Sequence, residues 1–303
     1  PPKKAEPQGQ DAGKRDARAS EPQRFTQRLS QPSAYATPGP WMPRRELHPH
    51  EQKVKFGEIV NYLDQEPLRV WHRVVDPIRQ EQMVRIAEHA ATASDADLAQ
   101  GQLVRPFTKK MSSELTTALL GAYMEGRKAV RAEVSGAKRP AIARLAAGNS
   151  QDLLEPTPAE RTWIRRLAEK FVSLSTMGLI TAAIREAITS RQADLPDDET
   201  QRRVQRALQD VSIPTAQAEL AGTITTAYTT GRNDQGKAMR DEIGVEYYSA
   251  VMDDGTCEPC AALDGMEQEP GGDSFETPNP ECDWPDRCRC ITVFEAKGAE
   301  VAA

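Results

Sequence analysis

Five cysteines, Cys257, Cys260, Cys282, Cys288 and Cys290, fall within the last 47 residues of a 303-residue chain, and none occurs before them. Cys257-x2-Cys260 places two thiolates on one turn, where both reach a single ion at about 2.3 Å from each sulfur, and a second short-spaced set completes a tetrahedral site. The chemistry that fits this spacing best is a closed, structural Zn2+ site. Disulfides are the alternative, because the two thiols of a CxxC also oxidise outside a reducing compartment. One ion needs four ligands, which makes one of Cys282, Cys288 and Cys290 surplus.

The elements flanking the cysteines read as short strands. Residues 245–251, Val-Glu-Tyr-Tyr-Ser-Ala-Val, and 290–294, Cys-Ile-Thr-Val-Phe, are rich in β-formers. If they pair antiparallel, the end of the first lies beside the start of the second, and Cys257-Cys260 meets Cys288-Cys290 at one end of the ribbon. Residues 261–287, with Gly265, Gly271-Gly272 and several prolines, read as a long irregular excursion. A two-stranded ribbon is marginal in water, so an ion whose binding is coupled to folding supplies the missing anchor.

Upstream, from about 76 to 243, the pattern is helical almost throughout. Phe107, Met111, Leu115, Leu119, Tyr123 and Val130 recur at three, four or seven residues and draw one apolar stripe. Thr157, Pro158 and Glu160 spell a capped helix start ahead of a core-facing stripe of Trp163, Leu167, Phe171, Leu174 and Ile184. Asp197-Asp198-Glu199 predicts a shorter helix over 197–211, since carboxylates favour the positive helix start. Pro214 opens another, with Leu220, Ile224, Tyr228, Gln235 and Met239 on one side and Gly244 as its terminator. Ala-Tyr-x-x-Gly-Arg occurs twice, at 122–127 and 227–232. Glycine inside a helix costs about 1 kcal/mol against alanine, so each copy points to a close backbone approach; chance or shared helix packing accounts for the echo better than duplication.

The fold class expected is mainly α with a small α+β C-terminal module: long helices, then a short antiparallel β-ribbon crosslinked by the cysteine cluster. Three parts follow: a basic arm over 1–50, ordered only against a partner; a helical domain over 51–213; and the cysteine module over 214–303. A 38% hydrophobic content with 5% aromatics suits long Ala/Leu-faced helices better than a compact enzyme core. The arm is rich in Pro, Gln, Ser, Arg and Gly and lacks an apolar period, so it cannot offset its own ordering entropy; Phe25 and Trp41 are its natural anchors. No stretch reads as long and apolar enough to cross a bilayer and no signal peptide is visible, so a soluble, cytoplasmically made protein without a membrane partner is expected.

Charge is uneven. Residues 1–50 carry nine Lys/Arg against five Asp/Glu, whereas residues 233–303 carry five against seventeen. An acidic surface repels phosphate, so any DNA contact belongs to the arm. Catalysis finds no complete constellation. His48 and His50 lie in the arm, His72 and His89 in or beside helical sequence, and no metalloprotease, deaminase, Walker or Rossmann pattern is present. Asp253-Asp254 before Gly255 reads as turn chemistry. The chain is expected not to be an enzyme.

Taken in order, Tyr228 to Arg232, Tyr247-Tyr248, Asp253-Asp254-Gly255-Thr256-Cys257-Glu258-Pro259-Cys260-Ala261-Ala262-Leu263-Asp264-Gly265 and Asp286-Arg287-Cys288-Arg289-Cys290-Ile291 resemble the head morphogenesis family of tailed bacteriophages, the Mu F-type minor head proteins. The resemblance covers roughly residues 215–295. It implies a structural minor capsid protein of the virion, in the capsid interior or at the portal vertex, made in the host cytoplasm. The implied partners are the portal protein and capsid or scaffold proteins, with several copies around the portal and ejection with the DNA as a further possibility. The alternative is a DNA-binding accessory protein of the virion that uses residues 1–50. Relatives commonly carry His-Pro before Cys-Arg-Cys, where this chain has Trp284-Pro285-Asp286-Arg287; if that histidine is a ligand in relatives, Cys282 is its replacement. Some relatives carry a toxin domain after this module; none is expected here, where nine residues follow Phe294, and an opening on Pro1-Pro2 rather than Met suggests a processed or incomplete chain.

Overall fold

The computed structural model describes residues 46–48, 51, 52, 54, 56–90, 92, 94, 104–136, 155–211, 213–250, 256–270, 275, 277–283 and 288–298, all within the unit Ala34–Ala303. Phe25, Trp41, His50, Asp253-Asp254-Gly255, Gly271-Gly272 and residues 284–287 lie outside the described residues. Helices dominate, and a small three-stranded antiparallel sheet follows them. Helix α1 (Phe56–Val70) runs through a π-helical turn, Trp71–Val75, into α2 (Asp76–Ala90). Helicity therefore begins some twenty residues before the periodic pattern suggests. The rest are α3 (Arg105–Gly136), α4 (Pro158–Gln192), α5 (Asp197–Gln209) and α6 (Ile213–Ala238).

Local sequence explains where α4 starts. The Thr157 hydroxyl accepts from Glu160 N at 3.2 Å while the Glu160 carboxylate accepts from Thr157 N at 2.5 Å, a complete capping box with Pro158 in the first turn. Met111, Leu115, Leu119 and Tyr123 of α3 are fully buried against Ile164, Ala168 and Phe171 of α4 and Leu220, Ile224 and Ala227 of α6. Leu174 corrects the predicted stripe: it is 54% exposed, with Met177 beside it at 57%. The inner face of α4 passes instead through Phe171, Val172, Ser175, Thr176, Leu179 and Ile180, a step that the longer-spaced reading overshot. Helix α4 also corrects the membrane reading, because by length and composition it is apolar enough to cross a bilayer. Its inner face packs on α2, α3, α5 and α6, as the core helix of a bundle does.

The two Ala-Tyr-x-x-Gly-Arg elements meet each other. A Cβ built on Gly126 of α3 would overlap the Tyr228 carbonyl of α6, and one on Gly231 would overlap the Tyr123 carbonyl of α3. The contacts are reciprocal, so the helices cross antiparallel with each glycine seated on the other helix's tyrosine backbone. Each arginine also lies over the tyrosine one turn before it, at 5.8 Å for Arg127 on Tyr123 and 5.9 Å for Arg232 on Tyr228. The echo marks shared helix packing. Gly231→Ala adds helix propensity of about 1 kcal/mol, but backbone cannot yield as a side chain tip can, and overpacking costs about 1–3 kcal/mol or more. A net loss of stability is expected in chemical denaturation of both Gly231→Ala and Gly126→Ala, whereas Gly121→Ala, with open space around its Cβ, should be neutral or stabilising.

Beside this crossing the Tyr123 hydroxyl sits 2.5 Å from Glu160 and 2.9 Å from Asp234, with Arg127 3.8 Å from Glu160. One hydroxyl proton serves two carboxyls. Burial pushes Asp234 up; it pushes Glu160 the same way, but the Tyr123 hydroxyl, Thr157 and Arg127 outweigh it and hold Glu160 below the usual carboxylate range.

Helix α6 ends at Ala238 and a 3-10 turn, Arg240–Glu242, leads into β1 (Ile243–Ser249). Gly244 is thus not the helix terminator. It lies within β1, where the register to β3 (Ile291–Ala296) slips between Ile243 and Val245, and its Cβ position faces the Lys297 backbone. β1 and β3 pair antiparallel from Ser249–Ile291 to Ile243–Ala296, as the β-rich runs imply. A second neighbour was not anticipated. β2 (Glu267–Gln268) pairs with Glu246 and Tyr247 on the other edge, giving the order β2-β1-β3. The stretch read as irregular therefore contains a strand and the end of a short helix, α7 (Glu258–Leu263).

Candidate metal centre

All five cysteines converge at the Ser249–Ile291 end of the sheet. Cys257 precedes α7 and Cys260 lies in it, so one short turn carries both sulfurs to the same side. Cys288 and Cys290 lie on the run entering β3, with Arg289 between them. Cys282 comes from the 277–283 loop, which α6 grips: Asn233 Nδ2 donates to the Thr277 hydroxyl at 3.0 Å, and Thr229 Oγ1 to its carbonyl at 3.5 Å. Asn279 then turns the chain back, its carbonyl accepting from Cys282 N at 3.0 Å and its side chain from Glu281 N at 2.9 Å.

The sulfurs form two overlapping groups, Cys257-Cys260-Cys282 and Cys260-Cys288-Cys290, in each of which all ligand atoms lie within 4.8 Å of one another. Cys257 Sγ is 3.5 Å from Cys282 Sγ, and Cys260 Sγ is 3.9 Å from Cys288 Sγ. A tetrahedral ion with bonds of about 2.3 Å separates its ligands by about 3.8 Å. Thiolate donors at these separations fit a metal ion such as zinc. None of the five is in a disulfide. Cys257, Cys260, Cys288 and Cys290 are buried; Cys282 is half-buried. Sequence reasoning left one of three cysteines surplus, and the structure brings every one of them to the cluster.

Cys260 is the hub. Besides belonging to both groups, it receives the Tyr248 hydroxyl at 3.6 Å and Asn279 Nδ2 at 3.9 Å. Hydrogen bonding from Cys290 opposes burial and, with Tyr248, Cys257 and Cys282 adding, brings Cys260 down to about 4. Cys288 is lowered too, again chiefly by Cys290. Cys290 is pushed far up, because it keeps its proton for Cys260 and Cys288 and is itself buried. Cys290 thus stands as donor between Cys260 and Cys288, and a cation at the same place would favour the deprotonated form of these thiols.

Tyr248 and Asn279 were not singled out as site residues from the sequence. Their signal was indirect: a tyrosine alternating with Tyr247 on a short strand, and an asparagine between two prolines, residues that hydrogen-bond sulfur only once the chain has folded. Among the described residues no histidine belongs to either group. His89 Nδ1 lies 2.9 Å from the Arg85 carbonyl one turn back, and His72 is exposed on the π-helical turn.

Arg232, buried completely, links this module to α3. Its guanidinium makes two hydrogen bonds to Glu133, at 2.6 and 2.7 Å, and donates to the Thr292 carbonyl of β3 at 3.1 and 2.8 Å. Burial opposes the Arg232 charge, yet Glu133 alongside holds its pKa above the ordinary value. The second arginine of the repeated element is therefore the bolt between bundle and sheet. Compared with known proteins, the chain matches no family model, no curated protein and no solved structure.

Proposed function

We propose that the chain is a structural minor head protein of a tailed phage, with Zn2+ held by thiolates of the C-terminal cluster, that joins the portal vertex or capsid interior during assembly. The observation that supports this reading best is the closed, buried, all-cysteine site. Among the described residues the two ligand groups are made of cysteine sulfurs alone, which is the make-up of a structural zinc centre rather than a catalytic one. The ordered elements that resemble the head morphogenesis family also act together. Its Tyr-x-x-Gly-Arg element is the helix crossing and the bolt to β3, and its Cys-x2-Cys and Cys-Arg-Cys runs supply the cluster.

Long helices with an exposed apolar pair, Leu174 and Met177, suit a protein that works inside an assembly. Mass spectrometry of procapsids and mature particles, with reconstruction of the portal vertex, tests the reading. The protein is expected in few copies, with density beside the portal ring. Its absence from both kinds of particle overturns the proposal, and salt-dependent retention on DNA that disappears when residues 1–50 are deleted would favour the DNA-binding accessory role instead.

A further inference from the structure

Cys257-Cys260 and Cys288-Cys290 arrive on two segments that flank the end of β1, and one stretch far away in sequence touches all three. The first is the turn after α7. Asp264, four residues beyond Cys260, accepts Ala250 N on one carboxylate oxygen at 2.9 Å and meets His48 Nε2 on the other at 3.3 Å. Gly265, at φ +77°, brings the backbone so close to the imidazole that a Cβ there would stand 2.9 Å from His48 Nε2. The second is the end of β1. Ser249 donates to the Glu51 carboxylate, which is fully buried and also accepts from His48 N at 2.8 Å. Ser249 follows Tyr248, whose hydroxyl reaches Cys260. The third is the run into β3, where Arg289, between Cys288 and Cys290, pairs with Asp64 of α1. Leu47, Val54, Phe56, Ile59, Val60 and Leu63 complete the hold by packing on Tyr228, Ile291 and Val293.

We propose that the described residues among 46–64 form a strap over the cysteine module whose closure is coupled to metal occupancy, so that His48, Glu51 and Asp64 are held in place by the ion. This inference rests on the metal reading above. A bound ion fixes the positions of α7, the end of β1 and the Cys288–Cys290 run relative to one another. Those are the positions that His48, Glu51 and Asp64 must find together. Linkage requires the converse as well: whatever loosens the strap must weaken the affinity for the ion. Through the segments it holds, which carry or flank the ligands, the strap would set how firmly the ion is kept.

The test uses the full chain, zinc-loaded and chelator-stripped. Amide hydrogen exchange over 46–64 is expected to rise at least tenfold on stripping, while exchange over α4 stays unchanged. In the reciprocal measurement, His48→Ala combined with Asp64→Asn should speed zinc transfer to a chromophoric chelator about tenfold. If stripping also raises exchange in α4, the zinc-transfer rate of the double variant decides. A zinc-binding chain whose strap exchanges equally in both states, or whose double variant transfers zinc within twofold of wild type, overturns the coupling and leaves the metal reading standing. A chain that takes up no zinc, cobalt or cadmium overturns both.

Discussion

Cys260→Ser in the full chain should abolish stoichiometric metal and with it the native packing of residues 243–296. Cys260 is the sulfur common to both three-cysteine groups and the one that Tyr248 and Asn279 address, so its loss breaks each group at once. The sheet it anchors has strands of seven, two and six residues, too little to stand unaided. Structural zinc contributes about 10–16 kcal/mol of binding free energy to small domains, comparable to the roughly 5–15 kcal/mol that holds an ordinary domain folded. Elemental analysis should fall from one ion per chain to near zero, with a large rise in hydrogen exchange across β1 and β3. Cys282→Ser is the contrasting variant. Cys282 Sγ lies 3.5 Å from Cys257 Sγ within one of the two groups, so its replacement identifies the ligand set: metal loss in Cys282→Ser makes Cys282 a ligand, and full retention leaves Cys257, Cys260, Cys288 and Cys290 as the four. Full metal retention by Cys260→Ser would dismiss the site.

The second large effect belongs to Arg232. Arg232→Met removes the guanidinium of a bidentate pair whose side chains are 0% and 4% exposed, leaving Glu133 without its counter-charge and the Thr292 carbonyl without its donor. Breaking a buried pair in this one-sided way costs about 3–5 kcal/mol, because the surviving charge keeps its desolvation penalty. For a domain of this size that is a drop of about 6–20 °C in melting temperature. Burial pushes the Glu133 carboxyl up even with the arginine present, so in the variant it should take a proton, and stability should recover in part as the pH is lowered. The sign follows from linkage: a carboxyl with a raised folded-state pKa loses stability as the pH rises through that value. Removing both charges, as in Glu133→Leu with Arg232→Met, should cost less than the single change. A melting temperature of Arg232→Met within 2 °C of wild type would show that the pair does not bolt α3 to the sheet.

Nothing in the arginine's own neighbourhood foretold that role. Gly231-Arg232 and Gly126-Arg127 read alike along the chain, yet Arg232 is fully buried against Glu133 and β3, whereas Arg127 reaches Gln235 at 3.2 Å and Glu160 at 3.8 Å. The difference lies in what each helix face meets. Leu174 makes the same point from the other side, since a leucine at a plausible core spacing ended up outside because α4 is long and its buried face is shared among four other helices.

What the sequence by itself determined is whatever depends on neighbours a few residues away. The capping box at Thr157, the acidic start of α5, the β-rich runs at 245–251 and 290–294 and the two-residue gap of Cys257 and Cys260 act over one or two turns, where propensity and hydrogen-bond geometry decide locally. Only the tertiary structure decided that all five sulfurs share one cluster, that each repeated glycine sits on the other copy's carbonyl, and that His48 meets Asp264 across 216 positions. Those contacts carry no local signature. They exist because burying several apolar faces at once leaves one arrangement in which the buried charges, carbonyls and thiols also find partners.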